Sequence, residues 1–302
     1  MKDNLRGVLE MTAAMVISGT IGWLVVLSGR PASEVVFWRC LFGAATLLPV
    51  CAAMGHLNRG KISLRQLFLA MLGGIAIVAN WLLLFAAYPR ASISIATAVY
   101  NTQPFMLVAL GALFLRERLT WVKLGWLLLS FAGVLLIVQG RPDMGSDGSH
   151  YLIGVLLSLG AAFFYAIAAL ITKALKSVPP HLIALVQVLV GIVMLAPFAL
   201  HGDGDAVGLD GWGYLVTMGV VHTGLMYILL YGAIQRLPTH LTGALSFIYP
   251  VVAFLVDALA FGHRLHIVQF LGAAAILLAA AGMLFGWRWR SRATREIERT
   301  LR

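Results

Sequence analysis

The feature that most constrains the fold of this chain is a series of ten apolar segments spread over its 302 residues. A helix needs about 20 mostly apolar residues to cross the hydrocarbon core of a bilayer, and each segment is about that long. Charged residues make up only 11% of the chain, against roughly a quarter of a soluble domain. The segments are 6–28, 34–55, 66–87, 92–115, 120–139, 151–174, 181–200, 210–234, 240–261 and 267–287. The sequence therefore predicts an all-α membrane protein with ten transmembrane helices.

Lysine and arginine are distributed unevenly between the two sides of such a protein. Because ten is an even number, both termini lie on one side, and that side collects seventeen of the 22 basic residues. The opposite side has four, and Arg39 within the second segment completes the 22. By the positive-inside rule, both termini of this multi-pass inner-membrane protein are predicted to face the cytoplasm. The net charge of +10 then serves topology and lipid contact, and nucleic-acid binding is not expected.

The second half of the chain repeats features of the first half. When the sequence is shifted by 146 residues, Pro104 meets Pro250, and six of the 24 residues at 96–119 are identical to their counterparts. Gly73 meets Gly219 in the same frame. Each half holds five spans, and because five is odd, the second half must be inverted relative to the first. The pattern predicts two inverted five-helix repeats, an arrangement common among transporters.

The repeat also predicts the domain organisation. The first five-helix repeat is expected at 1–142 and the second, inverted repeat at 151–287. The polar segment DMGSDGSH at 143–150 is the predicted linker between them. The arginine-rich segment at 288–302 is predicted to be a basic cytoplasmic tail.

A run of polar residues precedes Pro104 inside the fourth apolar segment. Asn101, Thr102 and Gln103 carry groups that hydrocarbon cannot satisfy. Interrupted helices at matching positions of two inverted repeats point to a substrate site, and Pro104 and Pro250 are such a pair. We predict that these two prolines have a conformational role beside a cavity. The alternative is a packing kink whose polar groups are satisfied by a neighbouring helix.

The sequence around this segment resembles a known family. Ten spans in two halves, a proline in the fourth and ninth, and FLRERLTWVKLGWLLLSFAGVLLI at 114–137 are similar to the EamA-type branch of the drug/metabolite transporter (DMT) superfamily. The most specific part is Pro104, twelve residues and then Glu-Arg-Leu. The second copy departs from the pattern, with His263 at the usual acidic position. The resemblance implies export or exchange of small metabolites, and within the family the chain resembles the YddG-type exporters of aromatic amino acids.

Aromatic and amide side chains occur at mid-span depth on, or paired with, the two proline-marked helices. Such side chains suit a flat, mostly neutral ligand, because rings stack and amides or hydroxyls orient it. The alternative for each single residue is packing against lipid or a neighbouring helix. The predicted substrate-binding residues of one central cavity are Asn80, Trp81, Tyr100, Asn101, Gln103, Phe164, Tyr165, His222, Tyr227 and Tyr249.

Three ionisable residues within the spans allow more than one interpretation. Arg39 either neutralises a substrate carboxylate, snorkels to an interface or bonds backbone carbonyls, and the structural bond is the favoured reading. His222 is either a proton-linked group or a satisfied core histidine. Asp257 is expected near the outer end of the ninth span, where water is available.

Motifs of other function classes are missing from the sequence. It has no histidine spacing typical of a metal site and no phosphate-binding Gly-x₄-Gly-Lys-Ser/Thr loop. The sequence therefore predicts no enzyme activity, no metal and no cofactor. It predicts a secondary transporter that exports amino acids, aromatic or neutral ones, or related small metabolites by alternating access. The sequence does not determine the oligomeric state, and a monomer in the lipid bilayer is compatible with it.

Two rival functions remain open at this stage. A multidrug exporter of planar or quaternary cations would need a buried carboxylate beside its aromatic cavity. The acidic residues near the spans, Glu10, Glu34, Glu117 and Asp257, look peripheral in the sequence. A non-transporting membrane interaction or assembly protein would have no water-accessible cavity between the halves.

Overall fold

The computed structural model describes residues 2–57, 62–116, 120–139, 148–200, 208–261 and 267–287. These residues form α-helices and one π-helical segment, Val220–Leu225, with no β-strand in the described ranges. The α-helices are α1 (Lys2–Gly19), α2 (Ile21–Ser28), α3 (Ala32–Ala53), α4 (Leu64–Tyr100), α5 (Gln103–Leu115), α6 (Trp121–Gln139), α7 (Gly148–Ala174), α8 (Pro180–Leu200), α9 (Leu209–Gly219), α10 (Met226–Arg236), α11 (Thr239–Ser246), α12 (Ile248–Phe261) and α13 (Ile267–Leu284). The prediction of an all-α fold is confirmed.

Six helical stretches are long and apolar enough to cross a membrane. They are Asn4–Ser28, Ala32–Ala53, Leu64–Arg90, Leu152–Ala174, Pro180–Ala199 and Leu209–Arg236. The other four predicted spans fall on the shorter apolar helices Gln103–Leu115, Trp121–Gly133, Thr239–Ala253 and Phe270–Met283. The protein is therefore a multi-pass membrane protein, and the short helices come from spans that are broken or partly described.

The third and fourth predicted spans share the single helical run α4. At 37 residues a straight helix would be about 55 Å long, well beyond the roughly 30 Å of a hydrocarbon core. The Asn80 amide nevertheless donates to the Tyr100 hydroxyl at 3.2 Å, although a straight helix would separate these residues by about 30 Å. The run must therefore fold back on itself between them, where it contains Pro89. Two antiparallel segments result, as the two apolar segments predict.

The two halves have helix breaks at matching positions. In the first half, α4 ends at Tyr100 and α5 begins at Gln103; in the second half, α11 ends at Ser246 and α12 begins at Ile248. Pro104 and Pro250 each lie just after one of these breaks and not within a continuous helix. They lie in the first turn of the downstream helix, where a missing N–H costs little. The breaks themselves recur with the 146-residue offset.

Contacts between the halves follow the same pairing. The second span packs on the seventh (α3 on α8), and the fifth packs on the tenth (α6 on α13). The first span packs on α10 and α12, and Arg236 joins it through an ion pair with Glu10 at 2.6 Å. The α3–α8 and α6–α13 contacts join equivalent spans, and the contact of the first span with α10 has its counterpart in the contact of α7, the sixth span, with α4, which contains the third. The architecture is thus two inverted five-helix repeats in contact along their length.

Small residues allow α3 to approach the π-helical segment closely. A Cβ added at Gly219 would lie 2.2 Å from the Cβ of Phe42, and one at Gly43 would lie 2.7 Å from Thr223. Membrane helices use glycine in this way to bring backbones together. The contact fixes α3, which carries Arg39, against the widened turn of the eighth span.

Two sequence predictions concern residues that the structure does not describe. The linker at 143–150 lies mostly outside the described residues, and the tail at 288–302 lies wholly outside them. The domain boundaries and the cytoplasmic orientation of both termini stay predictions.

Candidate substrate cavity

A cavity of about 60 Å³ lies between the two repeats. Seven of the ten predicted substrate-binding residues line it: Asn80, Trp81, Tyr100, Gln103, Tyr165, Tyr227 and Tyr249. The folded-back run α4 brings Asn80 and Trp81 opposite Tyr100, and the break before α5 places Gln103 at the wall. Whether these residues bind substrate stays a prediction, but the structure does bring them together.

Repeat partners face each other across the cavity. Trp81 and Tyr227 occupy equivalent positions, 146 residues apart, and the Trp81 indole N–H donates to the Tyr227 hydroxyl at 3.0 Å. Their rings meet edge to face, with centroids 5.5 Å apart. Gln103 and Tyr249 are repeat partners in the same frame, and both also line the cavity. The cavity therefore lies on the pseudo-two-fold axis that relates the halves, where inverted-repeat transporters hold their substrate.

The polar groups of the wall are anchored by neighbouring helices. The Asn80 amide donates to the Ala161 carbonyl at 2.8 Å and to the Tyr100 hydroxyl at 3.2 Å. The Tyr100 ring contacts the Tyr165 ring at 6.2 Å in an edge-to-face arrangement. Asn80, Tyr100 and Tyr165 thus join spans of both halves, and the two tyrosine rings give the cavity a rigid aromatic surface.

Arg39 is the charged side chain among the described cavity-lining residues. Its guanidinium stacks on Trp81, with Cζ 4.2 Å from the ring centroid. The Arg39 Nε donates to the Thr223 hydroxyl at 3.1 Å, and its Nη2 reaches the His222 carbonyl at 3.4 Å. The predicted bond to a backbone carbonyl is therefore present. The Nη1 group, however, has no hydrogen-bond partner among the described residues, although Arg39 is only 1% exposed.

Gln103 presents a second unsatisfied group to the same cavity. The residue is buried, and its side-chain oxygen has no hydrogen-bond partner within the described structure. An unsatisfied buried acceptor costs about 1–3 kcal/mol. The Arg39 donor and the Gln103 acceptor are thus two polar groups on cavity-lining residues that lack a hydrogen-bond partner among the described residues.

Three predicted site residues do not line this cavity. Asn101 is fully buried at the helix break, and its amide donates to the Thr97 carbonyl at 2.6 Å. Phe164 packs beside Phe163, with ring centroids 6.1 Å apart. His222 lies in the π-helical segment with its Nε2 2.7 Å from the Thr20 hydroxyl, and it meets the cavity only through its carbonyl contact with Arg39. Each side chain has a packing or bonding partner elsewhere.

Sequence reasoning left eight wall residues out of the predicted set. These are Met15, Ser18, Ile21, Arg39, Leu84, Phe85, Met226 and Leu230. The repeat offset holds a usable signal for Met226, because its partner Asn80 is a predicted site residue, whereas Leu84 and Leu230 are partners of each other. An apolar residue can therefore line the cavity when its repeat partner does.

Comparison with known proteins bears out the family resemblance. A model of the EamA-like transporter family matches residues 5–139 and, a second time, residues 152–285. The chain belongs to the EamA-like transporter family. It is accordingly a membrane transporter of the EamA type.

Individual relatives of this EamA-type transporter agree with the assignment. The uncharacterized transporter YxxF of Bacillus subtilis (strain 168) is 30% identical over 287 residues, which cover 93% of this chain and 89% of that protein. A probable amino-acid metabolite efflux pump of Escherichia coli (strain K12) is 30% identical over 212 residues, covering 65% of this chain and 69% of that protein. A solved crystal structure superposes on this protein with a TM-score of 0.79 and 19% sequence identity. The superposition covers 91% of this chain and 95% of the crystallised one, which shows that the two share a fold.

The matching breaks lead to a prediction about the two prolines. With Pro104→Ala or Pro250→Ala, an N–H becomes available to the carbonyl four residues upstream, so the helix can continue through the break. We expect the variants to fold, because a regular helix satisfies its own backbone. Substrate flux per folded protein in proteoliposomes should fall several-fold.

The matched control is Pro180→Ala, at the first residue of the unbroken helix α8. It makes the same chemical change away from any break, and it should leave flux unchanged. Wild-type flux in both Pro104→Ala and Pro250→Ala would show that the breaks do not depend on these prolines.

Proposed function

We propose that this EamA-type protein is a secondary transporter that exports amino acids, aromatic or neutral ones, or related small metabolites from the cytoplasm across the inner membrane. The observation that carries the proposal is the cavity on the pseudo-two-fold axis, built from rings and amides of both halves. The rings of Trp81, Tyr165 and Tyr227 offer aromatic surfaces to a flat ring, and the amides of Asn80 and Gln103 offer orienting groups. The efflux-pump name of the Escherichia coli relative supports the same substrate class.

The size of the cavity supports alternating access. Pockets for drug-sized ligands measure roughly 300–1,000 Å³, whereas this cavity measures about 60 Å³. Substrate entry therefore requires the halves to move apart at one side. The hydrogen bond between Trp81 and Tyr227 crosses from one half to the other and is expected to change during that movement.

Arg39 argues against the rival exporter of planar cations. A buried lipophilic cation needs a counter-charge, but the charged group in the described cavity wall is a guanidinium. Arg39 would repel such a substrate at close range in a medium of low dielectric constant. The cavity thus favours neutral or anionic groups.

The function is tested with the purified protein in proteoliposomes. Radiolabelled phenylalanine, tryptophan, leucine, glutamate and lysine, together with ethidium as a planar cation, are assayed for counterflow with and without a proton gradient. Uptake of neutral amino acids above that of empty liposomes supports the proposal. Transport of ethidium alone supports the multidrug rival, and transport of no compound from a wider metabolite panel supports a non-transporting role.

The bond between the halves gives a prediction of its own. Trp81→Phe and Tyr227→Phe each remove the Trp81–Tyr227 hydrogen bond and keep a ring in place. We expect each variant to lower flux several-fold, because this hydrogen bond no longer holds the two halves of the cavity wall in their relative positions. Phe164→Leu, on the same span as Tyr165 but outside the cavity wall, is the control and should transport like the wild type.

The double variant Trp81→Phe/Tyr227→Phe separates this bond from other effects. If both residues act through one hydrogen bond, the double variant should be no slower than either single variant, since the shared contact is already lost. Multiplied losses in the double variant would contradict the shared role.

A further inference from the structure

One pair of neighbouring residues differs between the two repeats in its hydrogen bonding. In the second half, the Tyr231 hydroxyl donates to the side-chain oxygen of Gln187. The first-half equivalents are Phe85, offset by 146 residues, and Arg39, offset by 148. Phe85 lies beside Arg39, with its ring centroid 5.9 Å from Cζ, but it has no hydroxyl. In the first half, Arg39 thus has an aromatic ring beside it, but that ring carries no hydroxyl to form a hydrogen bond.

The other contacts of Arg39 hold its guanidinium in one orientation. Thr223 accepts from Nε, the His222 carbonyl accepts from Nη2, and Trp81 covers one face. The Thr223 hydroxyl is itself fixed, since it donates to the Met218 carbonyl at 2.9 Å. These acceptors belong to the π-helical segment, and such segments often occur at functional sites. The orientation leaves Nη1 without a hydrogen-bond partner among the described residues, on a side chain that lines the cavity.

We propose that Arg39 binds the carboxylate of the substrate through Nη1, so that this transporter selects molecules carrying a carboxylate next to a flat apolar group. The proposal rests on the proposed function and adds the group that is recognised and the residue that recognises it. A guanidinium forms short, charge-assisted hydrogen bonds with carboxylates. No acidic side chain lines the cavity among the described residues, so a carboxylate meets no repulsion there. Thr223 and the π-helical segment are positioning elements for Arg39.

The test compares two probes that differ only at the carboxylate. L-phenylalanine and L-phenylalaninamide share the ring and the amino group, but the amide carries no negative charge. Affinities are measured by isothermal titration and by ligand-induced shifts of thermal unfolding in detergent, with 3-phenylpropionate as a carboxylate probe without an amino group. The wild type should prefer phenylalanine to its amide roughly tenfold to a hundredfold.

Three variants decide the assignment. Arg39→Gln should remove this preference, while affinity for the amide stays within about threefold of the wild type. Phe85→Tyr offers Arg39 the hydroxyl that Tyr231 offers Gln187, and it should weaken carboxylate binding while the protein remains folded. Tyr231→Phe, the reverse change at the equivalent position of the other half, should leave the preference intact. If Arg39→Gln fails to fold, Phe85→Tyr decides the question.

The outcomes separate the inference from the proposed function. Binding of phenylalanine with an unchanged preference in Arg39→Gln, or in Phe85→Tyr where that variant decides, overturns the role of Arg39 and leaves the amino-acid transporter standing. Arg39-dependent binding of 3-phenylpropionate without transport of any amino acid supports the carboxylate site and overturns the amino-acid substrate. Absence of binding by both carboxylate probes overturns the inference.

Discussion

Gly219→Ala should destabilise the protein strongly, although alanine is the better helix former. The added Cβ would lie 2.2 Å from the Cβ of Phe42 and 3.1 Å from the Gly43 backbone nitrogen. Neither atom is the end of a flexible side chain, so α3 as a whole would have to move away. Overpacking of this kind costs about 1–3 kcal/mol or more. The midpoint of thermal unfolding in detergent and the yield of monodisperse protein should both fall.

Gly213→Ala is the matched control on the same span. A Cβ at Gly213 meets no atom within 4 Å, so only helix propensity changes, by up to about 1 kcal/mol in favour of alanine. The control should therefore be neutral or slightly more stable. Equal unfolding midpoints for the two variants would contradict the close packing of α3 on the π-helical segment, and with it the rigid placement of Arg39.

Gln103→Leu should give a more stable protein that transports poorly. Gln103 is 4% exposed, and its side-chain oxygen lacks a hydrogen-bond partner in the described structure. Replacing it with an apolar side chain of similar size removes an unsatisfied acceptor that costs about 1–3 kcal/mol. The midpoint of thermal unfolding should rise. Flux in proteoliposomes should fall about tenfold, as expected when one hydrogen bond of roughly 1.4 kcal/mol to the substrate is lost.

Ser130→Ala distinguishes the two effects. The Ser130 hydroxyl is also buried and also without a partner among the described residues, but it lies on α6, away from the cavity wall. Its replacement should stabilise the protein and leave flux unchanged. If Gln103→Leu behaves in the same way as Ser130→Ala, Gln103 is not part of the transport site.

The sequence by itself determined the membrane class, the number of spans and the inverted repeat. These properties depend on the length and apolarity of each segment and on the spacing between equivalent residues, and all of them are present in the order of residues along the chain, without any tertiary contact. The offset of 146 residues relates Trp81 to Tyr227 and Gln103 to Tyr249, and all four line the cavity. The depth of a residue in the bilayer follows from its place along a span. For this reason a central aromatic cavity could be predicted from the chain alone.

Only the tertiary structure decided which side chains face that cavity. Successive residues of a helix point about 100° apart, so Tyr165 lines the wall while its neighbour Phe164 packs beside Phe163. Depth is equal for the two residues, and the difference comes from how neighbouring helices pack around them.

The hydrogen bonding of Arg39 also depends on how the helices pack. Its environment is made by Thr223 and His222 from the other half, brought near by glycines and by a π-helical turn. No local sequence pattern predicts that π-helical turn, because the turn arises from the packing of α3 on the eighth span. The sequence places a cation in the membrane, but contacts between the two halves determine which of its donors remains available to a substrate.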